Sequence, residues 1–253
     1  MTKKAYIGVN GIARKIKKGY VGIDNLSRKI KKAYIGVGGI ARPFWGGGKP
    51  TYYGTINPLS KARCFLSATS IGGYALFGGG ENSSVVDAYD SDLTRSTPTA
   101  LLQARANLAA TSIEGYAFFG GGTTYSVVDA YDSNLTRSTP TALSQARYYL
   151  SATSIGGYAL FGGGYRYSVV DAYDSNLTRS TPTALSQARY YLSATSIGGY
   201  ALFGGGYRYS VVDAYDSNLT RSTPTALSQA RGKLSATSIE GYALFGGGYA
   251  YTY

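Results

Sequence analysis

Histidine is absent from the 253 residues of this chain, and cysteine, methionine and tryptophan each occur once. Without imidazole the chain lacks the usual general base near neutral pH and the commonest metal ligand, so it reads as a non-enzyme that needs no metal or cofactor. A single cysteine, Cys64, excludes an internal disulfide framework. Cys64 stands where later repeats carry tyrosine, which marks it as a loop residue rather than a nucleophile. No apolar run approaches the ~20 residues of a membrane-spanning helix. Met1-Thr2-Lys3-Lys4 leads into no apolar core of signal-peptide length, so cytoplasmic synthesis is expected. Amphipathic helical periodicity is missing as well.

Glycine and tyrosine are abundant, at 35 and 26 residues, and both are periodic. Glycine triplets begin at Gly78, Gly120, Gly162, Gly204 and Gly246, a spacing of 42 residues, and the block from Ala146 recurs from Ala188 without a change. Each block reads as four strands. Leu150 to Ile155 is followed by a Gly156-Gly157 turn and by Tyr158 to Phe161. Ser168 to Tyr173 comes next, Asp174-Ser175-Asn176 turns the chain, and Leu177 to about Thr181 completes the block, with Pro182 beyond it. Small and β-branched residues such as Ala152, Thr153 and Val170 suit sheets packed face to face. A unit of this length predicts an all-β propeller. Five arginines open inner strand pairs (Arg63, Arg105, Arg147, Arg189, Arg231), but only four VVDAYD strands follow them. In phase with the repeat, Thr51 to Leu59 stands where an outer strand would stand. Five blades are expected, the last built from both ends of the chain so that no sheet edge stays open.

The glycines after a Tyr-x-x-Phe strand (Gly162-Gly163), the following Val169, Val170, Tyr173 and Asp174, and the arginines Arg147 and Arg189 resemble the kelch family of β-propellers. The resemblance spans about 51–253. It departs from the family where an outer-strand tryptophan is usual, since this chain has Leu177 or Thr178 there and its one tryptophan is Trp45.

Residues 1–45 form a different object, with 14-residue repeats starting at Lys3, Lys17 and Lys31, followed by a glycine-rich linker at 46–50 and the propeller at 51–253. Asn10-Gly11, Asn25 and Gly38-Gly39 sit at hairpin turns. Pairing Val9 with Ile12 gathers Ala5, Ile7, Val9, Ile12 and Ile16 on one face, with Arg14 among them. The first 50 residues hold twelve Lys and Arg against Asp24 alone, while the rest of the chain holds thirteen against twelve. Lys3, Lys4, Arg14, Lys15, Lys17, Lys18, Arg28, Lys29, Lys31 and Lys32 therefore suit docking to an acidic partner, or lysines that block edge-to-edge pairing. No recognised nucleic-acid module accompanies the charge. These repeats resemble short basic repeats of virion and tail proteins from phages and prophages of gut Gram-positive bacteria. That resemblance implies a virion location, a basic anchor, an outward-facing propeller and a homo-oligomer, trimeric or higher.

Comparing blades locates the candidate site. Variation concentrates in the pair after each arginine (Cys64-Phe65, Ala106-Asn107, Tyr148-Tyr149, Tyr190-Tyr191, Gly232-Lys233) and in the triplet after each glycine run, including Tyr165-Arg166-Tyr167 and Tyr207-Arg208-Tyr209. In an antiparallel blade both positions lie at one end. Kelch proteins bind ligands with this pair of loops, and the resemblance implies the same here, with Arg147 and Arg189 contributing. Tyr and Arg offer flat contact surface, phenolic hydrogen bonds and charge. Asp171, Asp174 and Asn176 could be read as a calcium loop, but turn capping is the expected role. The expected function is receptor binding on a phage particle, with a surface glycan or protein as ligand. A structural virion part and an intracellular kelch-type scaffold are the alternatives.

Overall fold

A computed structural model describes residues 54–250 and, within the first 53, the course of six strands; the chain divides into two units, 1–55 and 56–253. In the first unit each 14-residue repeat is one antiparallel pair: Ala5–Val9 with Ile12–Ile16, Tyr20–Ile23 with Leu26–Lys29, and Ala33–Val37 with Ile40–Trp45. Val9 pairs with Ile12, which sets Ile7 opposite Arg14 and Ala5 opposite Ile16. The third pair is bulged between Ala33 and Tyr34, where Pro43 has no N–H to give to the ladder. Arg14, Lys15, Arg28 and Lys29 sit on these strands. Lys3, Lys4, Lys17, Lys18, Lys31, Lys32 and the linker at 46–50 lie outside the described residues.

The second unit repeats one four-stranded antiparallel meander four times. The third copy comprises Ser151–Ile155, Tyr158–Gly162, Val170–Tyr173 and Arg179–Ser180. Its first hairpin turns on Gly156 and Gly157, both with positive φ (56° and 85°), the geometry that twists with the flanking strands. The outer strands are shorter than the sequence predicts because other bonds claim their ends. Val169 and Ser168 carbonyls accept from the loop N–H groups of Gly163 and Leu185. Thr178 N–H donates to the Asp174 carboxylate at 2.8 Å, which keeps it in the turn.

Residues 54–59 contain no strand, contrary to the outer strand expected there. They are the lead-in to the first sheet. The Asn57 carbonyl accepts the Tyr89 hydroxyl at 2.7 Å, as the Thr99, Thr141 and Thr183 carbonyls accept those of Tyr131, Tyr173 and Tyr215. The Pro58 carbonyl accepts from Arg95, as Ala100 does from Arg137. Thr51 to Tyr53 fall outside the described residues.

The core lies between sheets. Leu160, Val170 and Ala172 of the third sheet pack on Leu192, Ala201, Phe203 and Tyr215 of the fourth, and equivalent clusters join the first to the second and the second to the third. The opening glycine of each triplet is a steric requirement. A Cβ on Gly162 would lie 2.6 Å from the Phe203 ring, and Gly78, Gly120 and Gly204 face Phe119, Phe161 and Phe245 in the same way. Among the described residues the series stops at the fifth hairpin, Ser235–Ile239 with Tyr242–Gly246, which forms a two-stranded sheet. Among the described residues nothing lies within 4 Å of a Cβ on Gly246, and Ile239, Tyr242 and Leu244 are 59%, 72% and 50% exposed. At the other end Phe77 is half-buried and Leu93 is 48% exposed.

Candidate ligand-binding face

Each arginine is followed by a residue with ordinary backbone and then by one held left-handed: Phe65, Asn107, Tyr149, Tyr191 and Lys233 have φ of 57° or 58°. That kink turns each N–H toward the preceding repeat. Asn107 N–H donates to the Phe65 carbonyl at 2.9 Å, Tyr149 to Asn107 at 3.2 Å, Tyr191 to Tyr149 at 3.1 Å and Lys233 to Tyr191 at 2.9 Å. The five residues surround one depression of about 230 Å³ with Leu66, Leu108, Leu150 and Leu192 beneath them. A second set of bonds ties the two variable sites together. Glu81, Thr123, Tyr165 and Tyr207 N–H groups donate to the carbonyls of Cys64, Ala106, Tyr148 and Tyr190. A neighbouring cleft of about 540 Å³ runs from Glu81 and Asn82 past Asn107 and Thr123 to Tyr148 and Tyr149.

Six of the tyrosines named from the sequence form a continuous belt. Tyr148 stacks on Tyr165 (centroids 5.4 Å, 20°), Tyr165 meets Tyr190 at 5.2 Å, and Tyr190 stacks on Tyr207 (5.2 Å, 19°). Tyr149 and Tyr191 form an inner row 4.2 Å apart. Arg166 lies over Tyr165 at 5.0 Å and Arg208 over Tyr207 at 5.1 Å, within cation–π range. Tyr167 and Tyr209 are half-buried and stand apart; among the described residues neither makes a ring contact, and their carbonyls accept the Arg189 and Arg231 N–H groups. Lys233, which the sequence places at a variable position without singling it out for binding, has its ammonium over Tyr191 at 4.8 Å and Tyr249 at 5.7 Å.

Arg147 and Arg189 are not on this face. Both are 1% exposed and lie beneath it, each paired with a buried aspartate, Asp171 or Asp213. Arg147 also donates to the Phe161 carbonyl at 3.0 Å, and Asp171 accepts the Ser144 N–H at 3.0 Å and faces Arg179 at 3.4 Å. Burial draws the Arg105, Arg147 and Arg189 guanidinium groups below their ordinary value, and the adjacent carboxylates oppose the shift. These arginines hold the inner strand pair to the third strand. Losing one partner would leave the other charge buried and uncompensated. Asp171 is therefore a core ion-pair partner rather than a turn cap, while Asp174 is the cap, accepting from Asn176 and Thr178. The signal was present in the sequence as a constant spacing of 24 from each arginine to its aspartate.

Among the described residues no cluster of acidic or sulfur ligands could hold a metal ion, and no helix is long and apolar enough to cross a membrane. Cys64 is exposed, and its thiol pKa is raised chiefly by a 3.3 Å hydrogen bond to the Glu81 carboxylate. That is the opposite of an activated nucleophile.

No family model matches this chain, and no curated protein matches it. Among solved structures, 652 chains match, too many for fold alone to select a function. One of them, described as the structure of YjhT, aligns with a TM-score of 0.63 over 76% of this chain and 75% of that chain at 12% identity, and with it the second unit shares a propeller-like fold of repeated four-stranded antiparallel sheets.

Proposed function

We propose that the chain is a non-enzymatic binding protein of a phage or prophage virion. Its second unit is a kelch-like propeller of five blades that presents the tyrosine belt to a cell-surface glycan or protein. The basic hairpins dock it to an acidic surface of the particle, and copies assemble as a trimer or higher oligomer, so that weak contacts at each belt become strong by avidity. One observation carries this reading. The positions that differ between otherwise near-identical repeats are the positions brought together on one face, and there they carry six mutually touching tyrosines. Drift in exposed loops accounts for variation; the six tyrosines belong to the two identical blocks, so what supports the reading is their contact on one face, over a backbone that is left-handed at Tyr149 and Tyr191.

The test is binding of the full chain to an array of bacterial and host glycans, beside the variant with Tyr148, Tyr149, Tyr190 and Tyr191 replaced by Ala. Binding lost in a variant that still unfolds cooperatively supports the reading. Binding retained by the variant removes the belt from it. If charge reversal at Lys17, Lys18, Lys31 and Lys32 alone blocks incorporation into particles and the array stays silent, a structural virion role replaces it.

A further inference from the structure

The belt contains the same arrangement twice, one repeat apart. Tyr148 stacked on Tyr165, with Arg166 over the ring, is matched by Tyr190 stacked on Tyr207, with Arg208 over the ring. The two triads are in contact, because Tyr165 meets Tyr190 at 5.2 Å. Ring surface in each triad is already engaged by the neighbouring tyrosine and by the arginine. What the triads add at the surface is their guanidinium groups. Arg166 and Arg208 are exposed, and among the described residues neither forms an ion pair. Each is held over its ring rather than left to roam, so less freedom is lost when it engages an anion, and a guanidinium suits the two oxygens of a carboxylate or phosphate. Lys233, over Tyr191 and Tyr249, continues the cationic edge into the fifth repeat.

Resting on the reading of this face as a binding surface, we propose that the two Tyr–Tyr–Arg triads are successive subsites for a linear polymer with one anionic group per repeating unit, an acidic envelope polysaccharide or polyol phosphate. Two identical subsites in series fit a ligand that is itself a series. Single-stranded nucleic acid fits less well, since bases need open ring faces for stacking and these rings are stacked on one another.

The measurement is binding of the full chain with Lys17, Lys18, Lys31 and Lys32 changed to Glu, which lowers the net charge of the first 50 residues from +11 to +3 and weakens the hairpins' own hold on the polyanion, with the Arg variants made in the same background. The probes are polygalacturonate, its neutral methyl ester, poly(glycerol phosphate) and poly(dT). Polygalacturonate or poly(glycerol phosphate) should bind, and which one does separates carboxylate from phosphate. Arg166→Ala and Arg208→Ala should each weaken it about tenfold and together about a hundredfold, with a single repeating unit binding far more weakly than the polymer. Binding of the neutral ester, unchanged in the Arg variants, would overturn the anionic assignment and leave the belt as a binding face. Preference for poly(dT) would overturn it in favour of nucleic acid. No binding to polygalacturonate or poly(glycerol phosphate) overturns it, and the glycan array then decides the broader reading separately.

Discussion

Tyr149 and Tyr191 hold a left-handed backbone, φ 57°, at the lip of the central depression. For an L residue this conformation costs about 1–2 kcal/mol unless the side chain is absent or, as with asparagine, can bond locally. Asn107 occupies the equivalent place in the second repeat with the same φ, so the position tolerates the residue that suits it. Tyr149→Asn and Tyr149→Val both remove the ring, but only valine brings a β-branched side chain into that backbone. Denaturant unfolding should therefore find the valine variant less stable than the asparagine variant by about 1–2 kcal/mol. Equal stability in the two would mean that the φ value imposes no strain. The residue types at this face were legible in the sequence because the repeats act as internal controls on one another. The burial of Arg147 and Arg189 was not, because an arginine in phase with the repeat looks alike whether it meets a ligand or a core aspartate.

At the scale of the strand, each VDAY segment is buried along its whole length and ends in a tyrosine that packs edge-on against the phenylalanine of the neighbouring strand, as Phe161 and Tyr173 do at 6.0 Å and 90°. The hydroxyl still reaches a partner: Tyr173 donates to the Thr141 carbonyl at 2.8 Å. Burial raises the phenol pKa of Tyr131, Tyr173 and Tyr215, with the adjacent aspartate adding to the shift. A group with a raised folded value stabilises the fold fully below its unfolded value, about 10 for tyrosine, and loses that contribution as pH climbs above it. The second unit should stay folded to about pH 10 and then unfold cooperatively, Tyr131, Tyr173 and Tyr215 ionising together with loss of sheet signal. Gradual ionisation without unfolding would mean that these phenols are wet. Turn chemistry made the strand order legible, since Gly156-Gly157 and Asp174-Ser175-Asn176 lie where the chain reverses. Strand ends were not legible, because Thr178, Ser168 and Val169 spend their hydrogen bonds on turns and loops that composition does not reveal.

For the whole molecule, the 42-residue period made the repeated sheets legible, but whether five of them close is a property of curvature that no single repeat encodes. The ends are complementary in kind. Four times within the chain a phenylalanine ring fills the space that a glycine leaves, and the surplus members of the series are Phe77 at the start and Gly246 at the finish. Among the described residues Gly246 has no neighbour within 4 Å of a Cβ placed on it and no positive φ, so a side chain there meets none of them in an open arc. Gly204→Val is different, since its Cβ would lie 2.5 Å from the Phe245 ring. The proposed five-bladed ring, closed by Phe77 against Gly246, predicts that Gly246→Val destabilises the fold as an overpacked core does, by about 1–3 kcal/mol, with a lower melting temperature at an unchanged molecular mass. An arc that stays open predicts no change at Gly246 and a loss confined to Gly204→Val. A fall in molecular mass with Gly246→Val would instead place a second copy's first sheet on the open face, a head-to-tail contact that generates rings or filaments according to whether its rotation closes.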